Sequence, residues 1–339
     1  MTNPETYRPP DLRGRVALVA GATRGVGRGT ALALGEAGAT VYCTGRSTRA
    51  NRVPREPGKK VSPHSHAHRP ETVEETAEMV TARGGKGIAC VLDHTDAKKV
   101  EELVAKIRAE QGLLHVVVND ISELVHADFG KTFWNLNIEN GLGNLRNVLH
   151  THILTSHFAG PLLIETAEKS KVTGLIVEIG DGDSYTYRGH FFYDLIKTSV
   201  IRMAFAMGYE LRKKNVAAVA LTPGFLRSEA MLEYFGVTET DWQEAVKQDA
   251  NYAESETPLF AGRAIAALSA DPQLMKKTGR VFSSWGLSDE YGYCDADGRR
   301  PHWGRHYVKQ FGDTMKSCGD TFYEHWSDGA ISVVFPDWP

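Results

Sequence analysis

Two residues one helical turn apart carry the clearest chemistry in this chain. Tyr193 and Lys197 form a Tyr-x-x-x-Lys pair, and positions i and i+4 share one face of a helix. A free tyrosine ionises near pH 10 and is a poor proton carrier at neutrality. An ammonium one turn away stabilises phenolate and lowers that value. Such a tyrosine can give a proton to a carbonyl oxygen as hydride arrives, or take one from an alcohol in the reverse direction. The lysine can also bind a ribose hydroxyl.

A proton donor for hydride chemistry needs a hydride carrier, and the stretch Arg15 to Thr30, RVALVAGATRGVGRGT, can hold one. An apolar run, Val16 to Ala20, turns through Gly21, Gly25 and Gly27 into a helix-forming segment, Ala31 to Leu34. Glycines let the backbone approach a pyrophosphate, and the N–H groups and dipole of the helix start favour its charge. Thr23, Arg24 and Val26 lie inside this turn. The spacing is G-x-x-x-G-x-G rather than the commoner G-x-G-x-x-G. A second strand, Ala39 to Cys43, ends in Thr44-Gly45-Arg46-Ser47. That strand end meets the adenosine ribose: an acidic residue there selects NAD, a basic one the extra phosphate of NADP. Arg46 and Arg24 can grip a phosphate through paired hydrogen bonds, and no carboxylate follows the strand in sequence. The expected cofactor is NADP(H), with Ser47 beside the phosphate.

The remaining elements alternate strand and helix. Residues 50–69 are a basic, proline-containing insertion without periodicity (47–70 at its widest), expected to be a surface loop near the adenine end. His64, His66 and His68 alternate within it, but no Cys or carboxylate nearby completes a metal site, and none is expected. A helix from Pro70 leads to a third strand, Gly87 to Leu92, followed by Asp93 and His94. A helix from Asp96 to Glu110 has one apolar face. The run Leu113 to Asn119 is apolar enough for a buried parallel strand. Irregular chain from Glu123 to Asn144 leads to a long helix, about Leu145 to Glu168. Strands follow at Gly174 to Gly180, Val216 to Leu221 and Arg280 to Ser284. This pattern predicts an α/β fold, a doubly wound parallel sheet of about seven strands.

These motifs together resemble the short-chain dehydrogenase/reductase family, from about Leu12 to Trp285, and most nearly its longer branch called dehydrogenase/reductase member 1-like. The family's glycine motif is T-G-x-x-x-G-x-G, with Ala20 here in place of the Thr. The resemblance implies that Asp93, with His94 beside it, meets the adenine. It implies that Asn119, the one Asn kept from Asn-Asn-Ala-Gly, closes the fourth strand at the cofactor. Pro223-Gly224 is the family's turn at the nicotinamide, and Ser228 contacts the carboxamide. A helix asparagine usual in the proton relay has no clear counterpart; His150, Thr151 or His152 stands in that region. The family also places a serine about 13 residues before the tyrosine. Asp181 falls at or next to that place, and Ser184 lies nine residues before Tyr193. Either Ser184 or an aspartate, Asp181 or Asp183, serves there; a carboxylate would also suit a cationic or imine-like substrate.

The implied function is NADP-dependent interconversion of a carbonyl and an alcohol, most naturally reduction of a ketone or aldehyde, with Tyr193 as donor. The alternatives are an imine reductase using the same cofactor and a dinucleotide-binding sensor without catalysis. Hydrophobic content of 42%, charged content of 24% and a net charge of −3 are those of a soluble protein and give no reason to expect nucleic acid or membrane as partner. The polar N-terminus lacks a signal-peptide core. Four cysteines without C-x-x-C spacing read as reduced thiols of a cytoplasmic protein. Residues 1–285 are expected to form the cofactor-binding domain. Residues 286–339, rich in aromatics, are expected to pack on the body or on a neighbouring subunit. The resemblance implies a homodimer or homotetramer through the helices around Leu145–Glu168 and Phe191–Arg212.

Overall fold

Short runs of β-branched and small apolar residues, separated by amphipathic segments, give the alternation of a parallel sheet. A computed structural model of the chain describes residues 7–52, 69–122, 129–183 and 186–312. Its seven strands are β1 (Val16–Ala20), β2 (Thr40–Gly45), β3 (Lys86–Val91), β4 (Val116–Asn119), β5 (Gly174–Ile179), β6 (Val216–Thr222) and β7 (Val281–Ser283). They lie in the order β3-β2-β1-β4-β5-β6-β7, and every pairing is parallel. Chain order reverses between β1 and β4. The crevice outside the strand ends at that reversal is where such sheets bind ligands.

Both faces of the sheet are covered. Ala17, Val19, Val41, Val118, Val177 and Val219 face helices α1 (Gly25–Glu36), α2 (Val73–Ala82) and α8 (Pro258–Ala270). Leu18, Tyr42, Val117, Ile176 and Ala218 face α3 (Ala97–Gln111) and α5 (Thr151–Ser170). Side chains alternate across the sheet, so each strand feeds both layers. Helix α6 (Phe191–Leu211) packs along β6 through Ile201, Ala204 and Ala220.

Two expectations change here. The segment before the long helix is not irregular throughout: its described part contains α4 (Ile138–Leu145), capped by Asn137. The long helix is not a single α-helix from Leu145. A π-helical turn, Arg146–His150, joins α4 to α5. The wider turn shifts the helical register, which is why no asparagine could be matched there. Residue 285, next to which the extension is expected to begin, lies within a helix. Helix α9 (Ser284–Tyr291) runs through it, and Leu287 and Tyr293 enter the main core, Tyr293 meeting Phe260 edge to face at 5.0 Å. The extension is described as far as α10 (Trp303–Phe311) and residue 312. His64, His66 and His68 lie outside the described residues. Among the described residues no His, Cys, Asp and Glu cluster could hold a metal, and no helix is long and apolar enough to cross a membrane.

Glu256 is buried beneath the turn after β6. Its side chain accepts from Ser284 Oγ (2.6 Å), and Oε1 has no partner among the described residues. Burial pushes it from an ordinary value of 4.5 up to about 8, opposed by the Ser284 bond. The folded state therefore binds this proton more tightly than the unfolded chain, and stability falls as pH rises from about 4.5 through about 8. Urea midpoints should drop across that interval, and Glu256→Gln should flatten the slope. An equal slope in both proteins would contradict the assignment.

Candidate active site

The crevice between the ends of β1 and β4 is lined continuously from Arg46 and Ser47 to Tyr193, Lys197 and Met231. At its floor lies the glycine turn. Gly21 has a φ of +89° and its Cα faces the Asp120 carbonyl; a Cβ there would meet that oxygen at 2.6 Å. Gly27 is equally pressed, its Cβ position lying 2.3 Å from the Gly21 carbonyl oxygen. Helix α1 starts at Gly25 after Arg24, which makes no side-chain cap. Its first N–H groups are therefore left for other acceptors. Gly25 N–H donates to Glu229 Oε2 (3.0 Å) and Gly27 N–H to Asp120 Oδ2 (2.5 Å). The Val26 N–H has no partner among the described residues. Glu229 opens the short helix α7 (Glu229–Phe235).

At one end Arg24, Arg46 and Ser47 come together, but not free of carboxylates as the sequence suggested. Arg24 Nε donates to Glu71 Oε2 (3.1 Å) and Nη2 to Ser47 Oγ (3.1 Å). Arg46 Nη1 lies 3.6 Å from Asp93 Oδ2. Glu71 arrives from the far end of the insertion, so the residues after β2 could not announce it. Thr23, Asp93 and His94 line the cleft. His94 is wedged between Thr44 Oγ1 and Thr155 Oγ1, each at 2.8 Å. Burial pulls it down to about 4, with His152 acting in the same direction, so it is neutral.

Asn119 does not line the cleft. Fully buried, it donates through Nδ2 to Ser156 Oγ (2.9 Å) and Glu178 Oε1 (2.7 Å). The other Glu178 oxygen meets His152 Nδ1 at 2.6 Å, and His152 Nε2 reaches the Ile121 carbonyl at 3.1 Å. This network ties β4, β5 and α5 together below the site. Of the three residues expected near the relay position, Thr151 lines the cleft with Asn147, His152 is committed to Glu178, and His150 is exposed.

At the other end Tyr193 and Lys197 sit in the first turns of α6, started by His190, whose Nδ1 accepts from the Tyr193 N–H (3.2 Å). The Tyr193 hydroxyl donates to Asp181 Oδ2 at 2.5 Å. Arg188 holds that aspartate in place: its Nε donates to the Asp181 carbonyl (2.5 Å) and its Nη1 to Asp194 (3.0 Å). Lys197 is buried, with Nζ 5.8 Å from the tyrosine ring centre. Burial lowers Lys197 from its ordinary value, opposed by Asp181 and Asp120. Asp120 is pushed up to about 7 by burial, against Lys197 and the Gly27 N–H. Tyr193 is the main correction. Burial, followed by Asp181, raises it well above 10. The sequence expectation of a tyrosine lowered by its lysine is not met, because burial, and then the Asp181 carboxylate that takes the phenol's hydrogen bond, raise it. Pro223, Gly224 and Ser228 also line the cleft; Ser228 caps α7, accepting from the Met231 N–H. Asp183 is not part of the lining, and Ser184 lies outside the described residues.

A family described as enoyl-(acyl carrier protein) reductase matches residues 58–281. Dehydrogenase/reductase SDR family member 1 of Mus musculus is 30% identical over 295 residues, 85% of either chain. The chain belongs to the short-chain dehydrogenase/reductase family. Its fold recurs in the NADH-dependent reductase A1-R′ responsible for alginate metabolism (TM-score 0.59, 16% identity, 80% of this chain and 96% of that one). It recurs also in YwfH, an NADPH-dependent reductase involved in bacilysin biosynthesis (TM-score 0.60, 20% identity, 79% and 96%). Identities this low establish the fold alone. As a short-chain dehydrogenase/reductase the chain is an oxidoreductase, and it departs from the family pattern at one telling place: Asp181, not a serine, meets the tyrosine hydroxyl. Asp120, Arg188, Glu229 and Glu71 were not anticipated. Asp120 and Glu229 could have been, since each directly follows a residue singled out for the cofactor; Arg188 and Glu71 carry no motif.

Proposed function

We propose that the protein is an NADP(H)-dependent oxidoreductase that interconverts a carbonyl and an alcohol, working as a ketone or aldehyde reductase. The observation that carries this is one cleft containing both the glycine turn and the Tyr193 hydroxyl, with Arg24, Arg46 and Ser47 at its far end. The turn, with the open Val26 N–H, suits a pyrophosphate, and the two arginines suit a 2′-phosphate. The bound dinucleotide supplies the hydride. Tyr193 gives its proton to the carbonyl oxygen as hydride reaches the carbon, yielding an alcohol and a tyrosinate beside Lys197. Lys197 compensates that charge. Asp181 must release the phenol's hydrogen bond as the substrate oxygen takes its place.

The same Tyr193–Asp181 bond favours a second reading, reduction of an imine. An ionised carboxylate repels a developing alkoxide but attracts an iminium nitrogen. A matched cyclic ketone and cyclic imine, followed by NADPH oxidation in wild type and Asp181→Ser, separates the two. Carbonyl reduction predicts that the ketone is preferred and that Asp181→Ser keeps its turnover within about tenfold. Imine reduction predicts the opposite preference and loss of imine turnover in the variant. Dinucleotide binding without turnover of any ketone, aldehyde or imine would contradict both. We further place the protein in the cytoplasm and assign it a homodimer or homotetramer through α5 and α6, where Ile153, Phe191 and Leu195 are exposed. Light scattering on the purified chain reads the assembly, and a monomer would contradict it.

A further inference from the structure

The end of the insertion carries a line of alternating charge that joins α7 to the cofactor cleft. Glu233 of α7 accepts from Arg69 Nη1 (2.9 Å). Arg69 Nε and Nη2 hold the two Glu71 oxygens at 3.1 and 3.0 Å. Glu71 Oε2 then accepts from Arg24 Nε, and Arg24 Nη2 reaches Ser47 Oγ, both at 3.1 Å. The Arg69 and Glu71 side chains are only 6% and 7% exposed. Glu71 itself does not line the cleft, whereas Arg24 and Ser47 do. A carboxylate in that position cannot take a ribose hydroxyl; it can act only through Arg24. By occupying Nε it fixes the plane of the guanidinium, and Nη1 makes no bond to a described residue. A guanidinium held at one edge and open at another is pre-organised for a planar set of phosphate oxygens. Glu71 is shared between Arg24 and Arg69, and Arg69 has Glu233 as a second partner, so the Arg24 charge is only partly offset.

We infer that Glu71 is a positioning residue for cofactor selection: by holding Arg24 against Ser47 it directs the guanidinium toward a 2′-phosphate on the dinucleotide. This rests on the NADP(H) reading above. Without Glu71, Arg24 and Arg69 face each other as like charges, and Arg24 turns away from that orientation. The pyrophosphate contacts at α1 are untouched, so a dinucleotide lacking the 2′-phosphate should not feel the change.

The test is the affinity of the full chain for NADPH and for NADH, read from nicotinamide fluorescence in wild type, Glu71→Gln and Glu71→Asp. Glu71→Asp keeps the charge between the arginines, and so the fold, but falls one methylene short of Arg24. Wild type should bind NADPH at least tenfold more tightly than NADH. Glu71→Gln should weaken NADPH at least fivefold and leave NADH within twofold; Glu71→Asp should move the ratio the same way by less. An unchanged NADPH-to-NADH ratio in either folded variant, or a parallel loss of both ligands, would overturn the inference. A wild type that prefers NADH would overturn the cofactor reading itself.

Discussion

Tyr193→Phe should lower kcat by about 10²–10⁴-fold, the range for a positioned general acid, with NADPH affinity changed less than about twofold. The hydroxyl lines the cleft on α6 one turn from Lys197, and it holds a short bond to Asp181. Phenylalanine keeps the ring that packs edge-on against Phe129 at 5.6 Å, so the wall of the cleft stays in place. What the variant loses is the proton. It also leaves Asp181 without its partner, facing Lys197. Steady-state rates with the best acceptor, beside a fluorescence titration of NADPH, separate these effects. Full activity in the variant would transfer the donor role to Asp181. Equal losses in rate and cofactor affinity would mean the tyrosine only shapes the site.

Gly27→Ala should abolish dinucleotide binding at micromolar concentration and lower the melting temperature. The added methyl would stand 2.3 Å from the Gly21 carbonyl oxygen and 3.0 Å from Asp120 Oδ2. Neither can withdraw: Gly21 is backbone pressed on the Asp120 carbonyl, and Asp120 Oδ2 accepts from the Gly27 N–H itself. Overpacking of this kind costs about 1–3 kcal/mol or more, and here relief must come by opening the turn that meets the phosphates. Gly25→Ala is the instructive contrast. Its Cβ would meet no atom of the described residues within 4 Å, and the penalty is the positive φ of +58°, about 1–2 kcal/mol. Calorimetry and NADPH titration of both variants should show the loss of binding in Gly27→Ala far exceeding that in Gly25→Ala. Similar binding in the two would mean that the close approach at Gly27 does not shape the cofactor site.

The sheet was legible because each strand's apolar run is local. The pair Tyr193 and Lys197 was legible because one helix carries both, and Asp181 because its spacing from the tyrosine is fixed by a single strand-to-helix connection. What the sequence hid was pairing over distance. Glu71 lies 47 residues from Arg24, and Glu229 lies 204 residues from Gly25; no periodicity links them. Burial hid the rest. Nothing in the Tyr-x-x-x-Lys spacing shows that a carboxylate, rather than the lysine, takes the tyrosine's hydrogen bond. Asn119 was aimed at the cofactor, yet it is Asp120, the next residue, that faces the cleft, since side chains alternate along a strand and its continuation. The π turn between α4 and α5 displaced the register on which the helix asparagine was sought.

The most direct measurement is isotopic. NADPH carrying deuterium at the transferable C4 position is incubated with the full chain and each acceptor that supports its oxidation, and the products are read by mass spectrometry and NMR. The account predicts one deuterium on the former carbonyl carbon in wild type, and product formation falling with Tyr193→Phe to the same degree as NADPH oxidation. NADPH that binds tightly while no product acquires the label, across ketones, aldehydes and imines, would contradict it.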